Sequence, residues 1–253
     1  MDHPETLAFL YVAGVLGGIV SVIVSLASLV TYPALLAVGL APVAANVTNT
    51  VALTFTAAGA AIGSRGELRG QRPTVLRLAL VAAAGGATGG ALLLVLPGRT
   101  FELLAPVLVF GASVVLLVQP SFSSRPLFRP VGFRPGPLLG YYCATIYSGY
   151  FGAAGGIIAL VVLGAIIARP LVEVNAAKNV LAGVANGVAA IAFAFFGPVA
   201  WIHAVPLALG VFTGGLIGPS IARRIPAAAL RLLVGCAGIV VAGMLAWRTY
   251  GPA

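Results

Sequence analysis

Two apolar runs, residues 6–38 and 136–168, are each 33 residues long. A straight helix of that length would reach about 50 Å, against a hydrocarbon core of roughly 30 Å. Each run must therefore tilt steeply, break or fold back on itself. The residues inside them favour a break. The first holds Gly17, Gly18, Ser25, Ser28 and Pro33, and the second holds Gly149, Gly152, Gly155 and Gly156. Small residues, serines and prolines are where membrane helices are interrupted.

Three runs of ordinary spanning length follow each long one: 42–63, 73–96 and 101–119, then 174–196, 200–222 and 227–250. Lipid must be their solvent, because only 8% of the residues are charged and 60% are apolar, whereas soluble domains carry about 25% charge. The net charge of +9 comes largely from Arg concentrated in the short gaps between runs. That is a topology signal and argues against nucleic-acid binding. Cys143 and Cys236 lie inside apolar runs without metal spacing, and are expected to be small buried hydrophobes. The acidic start, with Asp2 and Glu5, lacks the positive charge of a secretory signal. The first run is thus expected to stay in the mature protein, with the N-terminus outside.

One long run and three ordinary ones, twice over, make an internal repeat of 1–119 and 136–253. Between them, 120–135 interleaves Pro120, Pro126, Pro130 and Pro135 with Arg125, Arg129 and Arg134. No spanning helix tolerates four such prolines, so this is a basic linker at the cytoplasmic surface. Two other gaps are basic, 64–72 with Arg65, Arg69 and Arg72, and 223–231 with Arg223, Arg224 and Arg231. All three are expected to be cytoplasmic. The uncharged gaps 39–41 and 197–199 are expected to be external. Three full crossings between the linker and 223–231 would put the latter on the wrong side. The conflict disappears if 136–168 is a hairpin returning to its own side, and the same device in 6–38 fits an outside N-terminus. The expected fold is an all-α polytopic membrane protein. It has two inverted repeats, each a re-entrant hairpin followed by three transmembrane helices, and the C-terminus ends outside.

Interrupted helices in inverted repeats are a transporter design, in which half-helix N-termini face an anion. The densest polar clusters come just after the breaks. They are Asn46, Thr48 and Asn49 in the first half, and Asn175, Lys178 and Asn179 in the second. Spacings of three and four residues put each set on one helix face. Asn46 and Asn175 have a bland alternative as N-caps, and Lys178, the only lysine, one as a snorkelling cation. Ser25, Ser28, Gly155, Gly156 and Tyr147 complete the candidate substrate-binding set. No carboxylate lies deep in a run, and His3 and His203 are the only histidines. Neither enzymatic chemistry, a metal cage nor a cofactor is expected.

The segment Gly149-Tyr150-Phe151-Gly152-Ala153-Ala154-Gly155-Gly156 resembles the glycine-rich signature opening the second half of the TauE/SafE family of sulfite exporters. That family's first-half counterpart falls on Ser25 to Ser28, Pro33 to Leu36 and Gly39 to Pro42, with serines in place of glycines. The resemblance spans nearly the whole chain. It implies export of sulfite or an organosulfonate, driven by an ion gradient. A proton is the first candidate coupling ion, and a homodimer is compatible with the design. The residues alone reach only a small anionic substrate, with an anion channel or a membrane scaffold as alternatives.

Overall fold

The structure is a computed structural model that describes residues 4–24, 26–118, 132–151, 155–222 and 227–251. Among them there are ten helices and no strand. In the first half these are α1 (Pro4–Val24), α2 (Ser28–Ala37), α3 (Pro42–Gly63), α4 (Arg72–Val95) and α5 (Gly98–Val118). In the second they are α6 (Pro135–Tyr150), α7 (Gly155–Ile166), α8 (Leu171–Phe196), α9 (Trp201–Ala222) and α10 (Ala227–Tyr250). Proline lies in the first turn of α3, α4 and α6, where its fixed φ is ready for a helix and its missing N–H costs nothing. Gly39, at φ +95°, makes the turn from α2 into α3.

Both long runs break. The first splits into α1 and α2, and the second into α6 and α7. In each the chain doubles back. A Cβ on Gly17 would lie 2.4 Å from the Thr31 methyl, and one on Gly140 would lie 3.8 Å from Val162. The two hairpins differ in proportion. At 21 residues α1 is long enough to span the hydrocarbon, whereas α2 has only 10. Six described helices (α1, α4, α5, α8, α9 and α10) are long and apolar enough to cross a membrane. The chain is a multi-pass membrane protein, and its large exposed side chains agree: Val95 and Phe196 are each more than 80% exposed, which water would not tolerate in such numbers. Helix α3 is as long but more polar, because it carries Asn46, Thr48, Asn49, Thr50, Thr54 and Thr56.

Small residues set the helix contacts, as membrane packing requires. Helix α1 lies on α9 through Gly14 and Gly18 against Gly210 and Gly214. A Cβ on Gly210 would stand 2.2 Å from the Tyr11 carbonyl oxygen. Helix α4 meets α6 through Gly85 and Gly89, and α8 through Gly86 against Ala185. The main pairings are α1 with α9, α3 with α8 and α9, α4 with α6 and α8, and α5 with α10. Exchanging the two halves turns this set into itself: α1–α9 becomes α6–α4, and α3–α9 becomes α8–α4. Gly183 meets Ala57 while Gly187 meets Thr54, so α3 and α8 run antiparallel.

The chain ends of the helices separate by charge. At one end a Cβ on Gly70 would come within 3.5 Å of the Arg169 guanidinium, Gln71 donates to the Glu173 carbonyl, and Arg77 lies over the Phe133 ring. The basic gap 64–72, the start of α6 and the start of α8 therefore share that end. At the other, the Ala200 N–H donates to Thr48, Gly197 packs on Val47, and Gly98 on Val43. The expected buried position of the cysteines is corrected here. Cys143 and Cys236 are both exposed. Most of the linker (120–131), Arg223 and Arg224 lie outside the described residues.

Candidate functional site

Two cross-half hydrogen bonds pin the broken helices. A helix end leaves its last carbonyls without partners. Asn46 Nδ2 donates to the Tyr150 carbonyl oxygen at 2.9 Å, at the end of α6. Asn175 Nδ2 donates to the Val22 carbonyl oxygen at 3.1 Å, near the end of α1. Each asparagine lies in the second turn of its own helix and caps the broken helix of the opposite half. Neither is an N-cap, since the caps of α3 and α8 are Ala41 and Pro170.

Asn49 is used on both sides of its amide. Its Oδ1 accepts from Thr31 Oγ1 at 2.5 Å, and its Nδ2 donates to Ser28 Oγ at 3.1 Å. These bonds tie α2 to α3 and fix Ser28. Because Ser28 Oγ accepts from Asn49, its own O–H proton is left to donate elsewhere. Thr48 lies away from this cluster, accepting from Ala200 N at 3.0 Å.

Ser28 faces a cavity of about 50 Å³, with room for about four water-sized groups. Both breaks contribute to its wall. Ala27 and Ser28 come from the start of α2, Gly156 from the start of α7, and Ser148 from the last turn of α6. Lys178 and Asn179 come from α8. Lys178 is only 2% exposed, so it does not snorkel. A buried ammonium needs compensation by negative charge or acceptors. The N–H groups of Leu29 and Val30 bond to Leu26 and Ala27 carbonyl oxygens. The offer of α2 to the cavity is thus the Ser28 hydroxyl more than open backbone donors. The combination of a hydroxyl, an amide, a cation and two helix starts suits an anion.

Of the predicted set, Ser28, Gly156, Lys178 and Asn179 line this cavity. Asn46, Asn49 and Asn175 are not in its wall; their amides bond to Tyr150, to Thr31 and Ser28, and to Val22. A Cβ on Gly155 would come within 3.1 Å of Ser148 Cβ, so glycine here lets α7 start against α6. Tyr147 is not in the wall; its ring packs edge-on to Phe151, 6.5 Å between centroids, within an aromatic group that includes Tyr32 and Phe101. Ser25 lies outside the described residues. Sequence reading missed Thr56 and Asn186, which also line the cavity. The available signal was spacing: Asn186 follows Asn179 by seven residues, two turns along one face. Among the described residues no group of His, Cys, Asp and Glu could hold a metal.

A family model described as sulfite exporter TauE/SafE matches residues 10–245. The chain belongs to the TauE/SafE family. It is similar to probable membrane transporter protein ORF9 of a Sinorhizobium species, 25% identical over 93% of this chain and 90% of that one. It is also similar to probable membrane transporter protein YfcA of Escherichia coli K12, 23% identical over 99% and 93%. No solved structure matches significantly. Gly155, where α7 starts, packs against Ser148 of α6, and Gly156 lines the cavity.

Proposed function

We propose that this TauE/SafE chain is a secondary transporter that exports a small sulfur-containing anion, sulfite or an organosulfonate, across the cytoplasmic membrane. The observation that carries the reading is the cavity where the starts of α2 and α7 meet Lys178. A buried lysine beside hydroxyl and amide donors within a lipid-embedded bundle favours negative charge. Lys178, Asn179 and Ser28 hold the oxyanion. Asn46 and Asn175 hold the hairpins that shape its site.

The two halves act as inverted repeats, 1–119 and 136–253, that rock against each other around the cavity. The antiparallel course of α3 and α8 and the exchange symmetry of the helix pairs support this. The arginine-rich end faces the cytoplasm together with the 120–135 linker, and both termini lie outside. A proton gradient supplies the coupling ion.

The test is efflux of labelled sulfite and short sulfonates from proteoliposomes, comparing wild type with Lys178→Ala. Saturable transport that falls at least about tenfold in the variant is expected, the effect of losing one charge-assisted contact. Undiminished transport in Lys178→Ala removes the lysine from the site. Flux that never saturates makes the protein a channel.

A further inference from the structure

A second cavity, of about 230 Å³, opens at the arginine-rich end and shares no wall residue with the first. Its floor is the buried Gln71, Ile166 and Ile167, and its rim the exposed Gly70, Phe133, Ala168 and Arg169. It is a seam between the halves, with the start of α4 on one side and the end of α7 on the other. Gln71 is only 2% exposed. Its Nε2 donates to the Glu67 carbonyl oxygen at 2.7 Å and to that of Glu173 at 3.1 Å, which spends both N–H groups and fixes the amide. Its Oε1 has no partner. A buried acceptor left alone is uncommon and calls for a donor. The surroundings are cationic. Arg169 gives Nη1 to Glu173 at 3.1 Å, and its guanidinium has further N–H donors. Arg77 lies over the Phe133 ring, and the exposed Arg72 and Arg134 adjoin Gln71 and Phe133 in sequence. Only Glu67 and Glu173 oppose these four arginines among the described residues nearby. Thr74, also in the wall, sits in the first turn of α4, whose N–H groups add positive potential. Lipid-facing leucines lead away from the rim: Leu76 and Leu80 on one face of α4, 59% and 75% exposed, and Leu139 on α6, 63% exposed.

We propose that this cavity holds the headgroup of an anionic glycerophospholipid that carries a free hydroxyl. The phosphate lies against Arg169 and Thr74, and the hydroxyl donates to Gln71 Oε1. The acyl chains leave over Leu76, Leu80 and Leu139. Basic pockets between membrane helices suit anionic headgroups. A glycerophosphate head has about ten non-hydrogen atoms, for which 230 Å³ is ample. A headgroup that is anionic but lacks the hydroxyl leaves the Gln71 oxygen unsatisfied, which is how buried polar groups discriminate. Because the site joins the start of α4 to the end of α7, a bound lipid holds the two halves together at this end and stabilises the fold by mass action. The inference is independent of the anion site around Lys178.

The test measures lipid affinity of the purified full-length protein in detergent by native mass spectrometry. The lipids are phosphatidylglycerol, phosphatidylmethanol and phosphatidylcholine with the same acyl chains. The first two share the charge and differ in the hydroxyl; the third has no net charge. Wild type is expected to bind phosphatidylglycerol about 3- to 10-fold more tightly than phosphatidylmethanol, and at least about tenfold more tightly than phosphatidylcholine. Arg169→Gln should weaken phosphatidylglycerol about 5- to 10-fold. Arg248→Gln, the same charge change in the last turn of α10, should weaken it less than about twofold. Equal affinity of wild type for phosphatidylglycerol and either of the other lipids overturns the proposal, and this comparison decides even if Arg169→Gln does not fold. Equal losses in the two arginine variants also overturn it, since they mean attraction to net charge alone. Displacement of phosphatidylglycerol by glycerol 3-phosphate at equal concentration overturns the lipid assignment in favour of a soluble phosphate ester. Transport of sulfur anions is measured separately, so none of these results bears on the anion site.

Discussion

Replacing Asn46 by leucine tests whether the two halves hold each other's broken helices. Asn46 is fully buried, and its Nδ2 lies 2.9 Å from the carbonyl oxygen of Tyr150. Leucine branches at Cγ as asparagine does, so the change removes the donor without opening a void. The Tyr150 carbonyl is then left at a helix end with no partner, at a cost of about 2 kcal/mol. For a chain of this size that lowers the melting temperature by about 4–8 °C. Asn175 is half-buried and its bond to Val22 is longer, 3.1 Å. Its leucine variant should lose about half as much, roughly 2–4 °C. The two bonds are at different hairpins, so the double variant should show the sum. Thermal unfolding of the purified protein, followed by intrinsic fluorescence in one detergent, measures all three. An Asn46→Leu protein melting within about 1 °C of wild type would refute the capping argument. So would one melting higher than Asn175→Leu.

Gly210→Ala should destabilise by about 1–3 kcal/mol, because its Cβ would stand 2.2 Å from the Tyr11 carbonyl oxygen and neither helix backbone can yield locally. Gly111→Ala, with nothing within 4 Å, is the control and should gain up to about 1 kcal/mol from helix propensity; the same melts compare them. Tyr32→Phe should stabilise by about 1 kcal/mol, since the Tyr32 hydroxyl is buried without a partner while its ring packs on Phe101 and Phe151. Glu173→Gln should change stability by less than about 0.5 kcal/mol, because the 3.1 Å pair with Arg169 is partly exposed.

Much of the fold was legible because lipid imposes a length on every element. All eight runs became helices within a few residues of their expected bounds, and both overlong runs broke near the serines and glycines that marked them. The cysteines were misjudged because an apolar run does not say which of its faces meets lipid. In a bilayer both faces are apolar, so the amphipathic pattern that separates core from surface in water is missing.

The candidate site was legible in part. Of the polar residues that follow each break, Lys178 and Asn179 line the cavity. Their division of labour was not readable. Asn46 and Asn175 looked like ligand donors, yet their partners lie 104 and 153 residues away in the opposite half. The sequence by itself determined that the helices break, where they break and which residues near the breaks are polar. Those follow from run length, backbone preference and the cost of polar groups in lipid. Only the tertiary structure decided which amides face the cavity and which cap a helix. That choice depends on the close glycine contacts that bring one half's breaks against the other's helices, and local pattern carries no record of such distant pairings.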